Sequence, residues 1–161
     1  GADSSDSSGT LRYVSMRFSG FEIAPGNELN GITLAGVGSG TTVEYVQVHN
    51  SSDDGIEFFG GSVNARYLVL TGIDDDSLDT DNGYNGSIQY VVANQRTAGG
   101  DNIVEASSRA AGATPSSNAK VANFTFVGSR TNAFRLNTGT VGTYVNDIVN
   151  YGTQCFRWEG T

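Results

Sequence analysis

Two short phrases recur along this chain, and their spacing constrains the fold more than any other feature. The first reads Gly31-Ile32-Thr33-Leu34, then Gly55-Ile56-Glu57-Phe58, Ser77-Leu78-Asp79-Thr80, Asn102-Ile103-Val104-Glu105, Ala133-Phe134-Arg135-Leu136 and Cys155-Phe156-Arg157-Trp158. Its apolar second residue falls at 32, 56, 78, 103, 134 and 156, in steps of 24, 22, 25, 31 and 22. The second phrase precedes it: Tyr13-Val14-Ser15-Met16, Tyr45-Val46-Gln47-Val48, Tyr67-Leu68-Val69-Leu70, Tyr90-Val91-Val92-Ala93 and Asn123-Phe124-Thr125-Phe126. A last copy falls near Asn146-Asp147-Ile148-Val149, with its register open. Each phrase alternates apolar with polar at a period of two, the pattern of a strand with one buried face. Two short strands per repeat, separated by Gly, Asn and Asp, describe a solenoid coil that has no core until it stacks on its neighbours.

The expected fold is therefore all-β: a right-handed parallel β-helix of about six coils of 22–25 residues. Its hand is taken from the general preference of parallel crossovers. Composition agrees. Gly is 22 of 161 residues, charged residues are 16%, and strong helix formers are scarce, which argues against a helical bundle. Residues 11–161 are expected to form one domain, with loop insertions near 20–30 and 107–120. The Ser/Asp-rich residues 1–10 read as a flexible tail. Trp158 ends the last phrase with no capping helix after it, so the last rung is expected either to continue in a longer protein or to stack end to end on another chain.

Charge narrows function. Seventeen acidic side chains stand against nine basic ones, a formal charge of −8, and Lys120 is the only lysine. Nucleic acid is thus not an expected partner, since binding it needs a basic stripe. No apolar run is long enough to span a bilayer. The lone Cys155 and lone His49 supply neither an internal disulfide nor a zinc or triad constellation. Asn50, Asn85 and Asn123 lie in glycosylation sequons that carry no further argument.

The acids are concentrated. Asp53, Asp54, Glu57, Asp74, Asp75, Asp76, Asp79 and Asp81 share one segment with Arg66 alone. Aligning the repeats stacks Asn30, Asp54, Asp76, Asp101, Asn132 and Gln154 in one column, and Thr33, Glu57, Asp79, Val104, Arg135 and Arg157 in another. Carboxylates one rung apart repel by about 3 kcal/mol at an effective dielectric of 20, and by under ~1 kcal/mol if fully hydrated. Calcium, which takes six to eight oxygens, would offset this, with Asp53, Asp54, Asp74, Asp75, Asp76, Asp79 and Asp81 as candidate ligands. The plainer alternative is a solvated turn whose Asp side chains bond backbone amides.

Around these residues the sequence resembles a known family. The run from Asn27 to Thr41, Val43 to Val48, Asp53-Asp54-Gly55-Ile56-Glu57-Phe58-Phe59-Gly60-Gly61 and Asp74 to Gly83 are similar to bacterial secreted or outer-surface pectate-lyase-like β-helix proteins, often lipoproteins. The resemblance implies export to the exterior or cell surface and no established activity. Asp79-Thr80-Asp81 and Asp53-Asp54 also look like the paired carboxylates of β-helix glycosidases. On that alternative Asp54, Asp76, Asp79 and Asp81 are catalytic in a glycoside hydrolase or, beside calcium and Arg66, a polysaccharide lyase. The leading expectation is a non-catalytic extracellular scaffold that binds glycan or a surface partner. A self-assembling fibre subunit is the third reading. Tyr13, Tyr45, Tyr67 and Tyr90 form a recurring column, read either as an aligning aromatic stack or as a sugar platform, with Tyr45, Tyr67, Tyr84 and Tyr90 the candidate platform residues.

Overall fold

The computed structural model describes residues 3–128, 131–150 and 153–160. In chain order the strands are β1 (Thr10–Arg17), β2 (Glu22–Ala24), β3 (Asn27–Glu28), β4 (Ile32–Ala35), β5 (Thr42–His49), β6 (Ile56–Phe59), β7 (Asn64–Thr71) and β8 (Leu78–Asp81). They continue as β9 (Ser87–Asn94), β10 (Val104–Ala106), β11 (Asn118–Val127), β12 (Asn132–Asn137), β13 (Val141–Val145), β14 (Ile148–Asn150) and β15 (Gln154–Glu159). Two parallel sheets run along the molecule. The first is ordered β1-β5-β7-β9-β11-β13, with β14 also on β11; the second is ordered β15-β12-β10-β8-β6-β4. Successive long strands thus lie side by side in one sheet and successive short strands in the other, which is the winding of a parallel β-helix. No helix among the described residues is long and apolar enough to cross a membrane.

The core is a set of vertical columns. Val46, Leu68, Val91 and Phe124 stack in register on one wall, and Ile56, Leu78 and Val104 on the other. All of these are buried. Alternation along each strand sends the residues between them outward.

One repeat is shifted from its expected register. Val104, not Ile103, pairs with both Leu78 and Phe134, so Glu105 lies beside Asp79 and Arg135. The residue before each anchor occupies a corner that also faces inward: Ser77, Ile103 and Ala133 there are fully buried. Two consecutive apolar residues therefore satisfy the burial pattern in either register, and the hydrogen-bond ladder selects Val104. In the last coil Ile148 lies beside Thr125 and Val149 beside Phe126, which fixes the register of that phrase.

Residues 1–2 of the expected tail lie outside the described residues, while its remainder and the two insertions take definite form. Residues 3–9 are held along the loop before β5 rather than hanging free. Ser39 N–H donates to the Ser4 carbonyl (2.8 Å), Thr42 N–H to the Gly9 carbonyl (3.0 Å), and Ser8 N–H to Thr41 Oγ1 (2.8 Å). The excursion at 20–30 is organised by the antiparallel hairpin β2–β3. The second insertion ends sooner than expected, because β11 already begins at Asn118.

The tyrosine column is a backbone device. Tyr13, Tyr45, Tyr67 and Tyr90 all have φ between 54° and 61°, and Asn123 and Asn146 continue the position at 57° and 58°. Each is a left-handed residue skipped by the pairing ladder, so each long strand bends there. The rings stack at 4.9, 4.6 and 5.1 Å, tilted by no more than 10°. A β-branched residue resists this conformation and Asn tolerates it. Tyr67→Val should therefore cost about 1 kcal/mol more stability than Tyr67→Asn, although both remove the ring. Equal losses in chemical denaturation would show that backbone geometry is not what the position selects.

Candidate functional site

The acidic residues gather on the second sheet and at the corner that leads into it. Asp54 and Asp76 precede β6 and β8 at equivalent places and are nearly inaccessible. Each bonds the backbone of the next coil: Asp54 Oδ1 accepts from Asp76 N–H (3.1 Å), and Asp76 Oδ1 accepts from Asn102 N–H (2.6 Å). The column then changes chemistry, with Asn132 Nδ2 donating to Asn102 Oδ1 at 2.7 Å. This part of the plainer reading, carboxylates bonding turn amides, is correct.

It does not account for the neighbours. Oxygens of Asp54, Glu57 and Asp79 lie within 4.8 Å of one another, as do those of Asp53, Asp54 and Asp75, and those of Asp75, Asp76 and Asp101. Strand stacking makes the first group: Glu57 on β6 and Asp79 on β8 are register partners, one rung apart on the same face. Asn30 Nδ2 donates to Glu57 Oε2. Asp79 keeps some surface accessible, yet its Oδ1 is fully enclosed and receives no hydrogen bond from an amide, amine or hydroxyl of the described residues, so Glu57 is the side chain left to share a proton with it.

Burial and crowding make these acids hard to ionise. Burial, then the charges of Glu57, Asp53 and Asp75, raises the Asp54 carboxyl. Glu57 is pushed up to about 7, chiefly by burial and against the opposing pull of Asn30. Asp75 is raised to about 6 by burial, with Asp53 and Asp101 adding to it. Asp76 and Asp79 are raised for the same reasons, with Asp54 the leading neighbouring charge for both. A group of this kind favours protonation, a cation, or both.

Of the expected ligands, the structure brings together Asp53, Asp54, Asp75, Asp76 and Asp79. It places two elsewhere. Asp74 turns outward to an ion pair with Arg96. Asp81 Oδ1 is engaged by Asn82 N–H (2.6 Å) and Ser107 Oγ (2.8 Å) in the turn after β8. Glu57 and Asp101 join the groups and were not among the expected ligands. Glu57 was visible in the repeat column beside Asp79. Glu105 follows on the same column once the register is corrected, and Arg135 Nη1 binds its Oε2 at 2.9 Å.

Of the residues of the catalytic alternative, Asp54, Asp76 and Asp79 lie in the carboxylate groups and Asp81 does not. The nearest oxygens of Asp54, Glu57 and Asp79 are within 4.8 Å, a close approach nearer to the about 5–5.5 Å of a retaining carboxyl pair than to the about 6.5–9.5 Å of an inverting one. Asp81 is bound into its turn. Arg66, the lyase-base candidate, lies on the first sheet and pairs with Glu44.

The expected sugar platform is also corrected. Tyr84 is completely buried, its ring 4.6 Å from Phe58 and its hydroxyl donating to the Val63 carbonyl at 2.8 Å. It sits in the turn after β8, off the tyrosine column, and points into the coil. Tyr45 and Tyr67 have both ring faces covered by neighbouring tyrosines, and Tyr90 has one covered by Tyr67. Stacking a sugar needs an open face, and Tyr45 and Tyr67 present edges.

A family model described as a pectate-lyase like beta helix domain matches residues 1–161. The chain belongs to this family. Among curated proteins and solved structures, none matches the chain. Membership in the pectate-lyase-like β-helix family accords with the two parallel sheets and the stacked core. In this pectate-lyase-like β-helix the carboxylate groups lie across neighbouring coils, so the winding itself assembles them.

Proposed function

We propose that this β-helix is an extracellular, non-catalytic binding module whose acidic corner holds calcium and, through it, contacts a glycan or another surface partner rich in oxygen ligands. One observation carries the reading: the carboxylates of Asp54, Glu57 and Asp79 converge within 4.8 Å while Asp79 Oδ1 is enclosed with no amide, amine or hydroxyl donor among the described residues, leaving a cation or a proton shared with Glu57 to satisfy it. A hard cation suits an all-oxygen set, and no His or Cys belongs to these groups. Asp53, Asp75, Asp76 and Asp101 extend the donors along the corner. Calcium would supply positive charge where the acids repel one another and keep an open coordination position for partner oxygens. Phe59 and Asp81 follow Glu57 and Asp79 on the outward side of the same strands.

Isothermal calorimetry with calcium at pH 7.5 tests this. Binding should release protons, because raised carboxyls must ionise to ligate. The apparent enthalpy should therefore change with the ionisation enthalpy of the buffer. Asp79→Asn should weaken binding at least about tenfold, the order expected when a charged ligand is lost. No heat with calcium, or an unaltered affinity in Asp79→Asn, overturns the cation site. Release of reducing ends or unsaturated sugars from polysaccharides would replace the binding module with an enzyme.

A further inference from the structure

The hairpin β2–β3 forms an apolar knob on the first coil. Glu22 lies opposite Glu28, and Leu29 N–H donates to the Phe21 carbonyl at 3.0 Å. Alternation along the two strands therefore puts Phe21, Ile23 and Leu29 on one face and both glutamates on the other. The charge of Glu28 helps to raise the Asp53 carboxyl, so the glutamate face lies beside the acidic corner. The apolar face is left in water: Phe21 is 74% exposed, Ile23 58% and Leu29 52%. Three large apolar side chains so exposed on one short hairpin mark a contact surface.

The same molecule carries a matching recess. After the bend at the tyrosine column, the first sheet turns Val69 on β7 and Val92 on β9 outward, at positions where a solvated face would carry polar residues. With the edges of Tyr45, Tyr67 and Tyr90 they line a cavity of about 420 Å³, in which Gln47 is the one amide. The rim is positive. Arg12 lies 5.7 Å from the Tyr45 ring centre and Arg66 5.6 Å from that of Tyr67, and the two guanidinium groups share a single carboxylate, Glu44. The knob bears only acids, and neither Glu22 nor Glu28 forms an ion pair among the described residues.

We propose that the knob of one copy seats in the recess of a second copy of this chain, and reciprocally, in a two-fold dimer that needs no calcium. Shape and charge both fit this occupant: apolar side chains meet an apolar recess, and unpaired glutamates come to a rim with an excess of guanidinium. Placement fits too. The recess begins at the tyrosine bend, and the knob follows the far end of β1, so the two flank one face of the molecule. A two-fold axis parallel to the helix axis lays each knob over the other copy's tyrosines. A lipid surface suits the knob less well, because glutamates line it and a chain of formal charge −8 is repelled by anionic headgroups. The contact is side to side and leaves the end rungs free.

The test is sedimentation velocity of the full chain in EDTA, from about 1 μM to about 1 mM. A concentration-dependent dimer is expected. Phe21→Ser on the knob and Val69→Asp in the recess should each weaken it at least about tenfold, with the melting temperature of dilute protein unchanged. A mixture of the two variants should regain dimer, because one chain keeps an intact recess and the other an intact knob. Should Val69→Asp fail to fold, Val92→Asp takes its place. A monomer at every concentration, a dimer unaffected by either substitution, or a mixture no stronger than the separate variants would overturn the proposal. So would Phe21-dependent binding of a monomeric chain to phosphatidylcholine vesicles, which would assign the knob to a lipid surface.

Discussion

Metal-free protein should melt at a lower temperature at pH 8 than at pH 5, and calcium should reverse most of that loss. The direction follows from the raised carboxyls. A group whose folded pKa lies above its unfolded value stabilises the fold fully below the unfolded pKa, near 4 for Asp and Glu, and loses that contribution as pH climbs through the folded pKa. Asp75 at about 6 and Glu57 at about 7 place the loss between pH 5 and 8, and the raised Asp54 extends it further up. Calcium binds the ionised form. At about 100 times its Kd it adds about 2.7 kcal/mol, or about 5–10 °C for a chain of this size, at pH 8 and much less at pH 5. Asp79→Asn removes one of the interacting charges, so it should flatten the metal-free pH profile and cut the calcium gain to about half or less at the same calcium concentration. A profile that is flat or rises from pH 5 to 8 would mean that these acids are not strained by their neighbours.

The second large effect lies inside the coils. Phe58→Ala should cost about 3–5 kcal/mol and lower the melting temperature by about 10 °C, measured by calorimetry or denaturant titration. Phe58 is fully buried, packs against the Tyr84 ring, and sits between Leu34 and Thr80 on the ladder. Its neighbours are held by hydrogen-bonded rungs on both sides, so they have little freedom to close the cavity. A cost below about 1 kcal/mol would mean that the rungs shift to fill the space.

Much of this architecture can be read from the residues, because a solenoid writes its packing in a linear period. The anchors Ile32, Ile56, Leu78, Phe134 and Phe156 are found by counting, and so is the column from Tyr13 to Tyr90. Counting fails where two residues satisfy the same pattern, as Ile103 and Val104 do. That slip of one residue hid Glu105 from its place beside Asp79. Tyr84 misleads for a related reason: composition marks it as an available aromatic, but only the turn geometry turns it inward. The acidic corner is half legible. Stacking Glu57 over Asp79 follows from the repeat, whereas the approach of Asp101 to Asp75 and Asp76 depends on how the corners close. The docking of residues 3–9 left no trace in composition, since the bonds that hold them run largely through backbone.

The recurring left-handed position has a consequence for how such a molecule can change length. Every coil ends its first face at the same kind of bend and offers the next coil the same edge. A whole turn of the spiral can therefore be duplicated or excised with its neighbours still matched, while the loss of a residue from within a paired strand, rather than from a loop between strands, breaks the match. The rod's reach is in this sense quantised: it grows or shrinks by one storey of about 4.8 Å at a time.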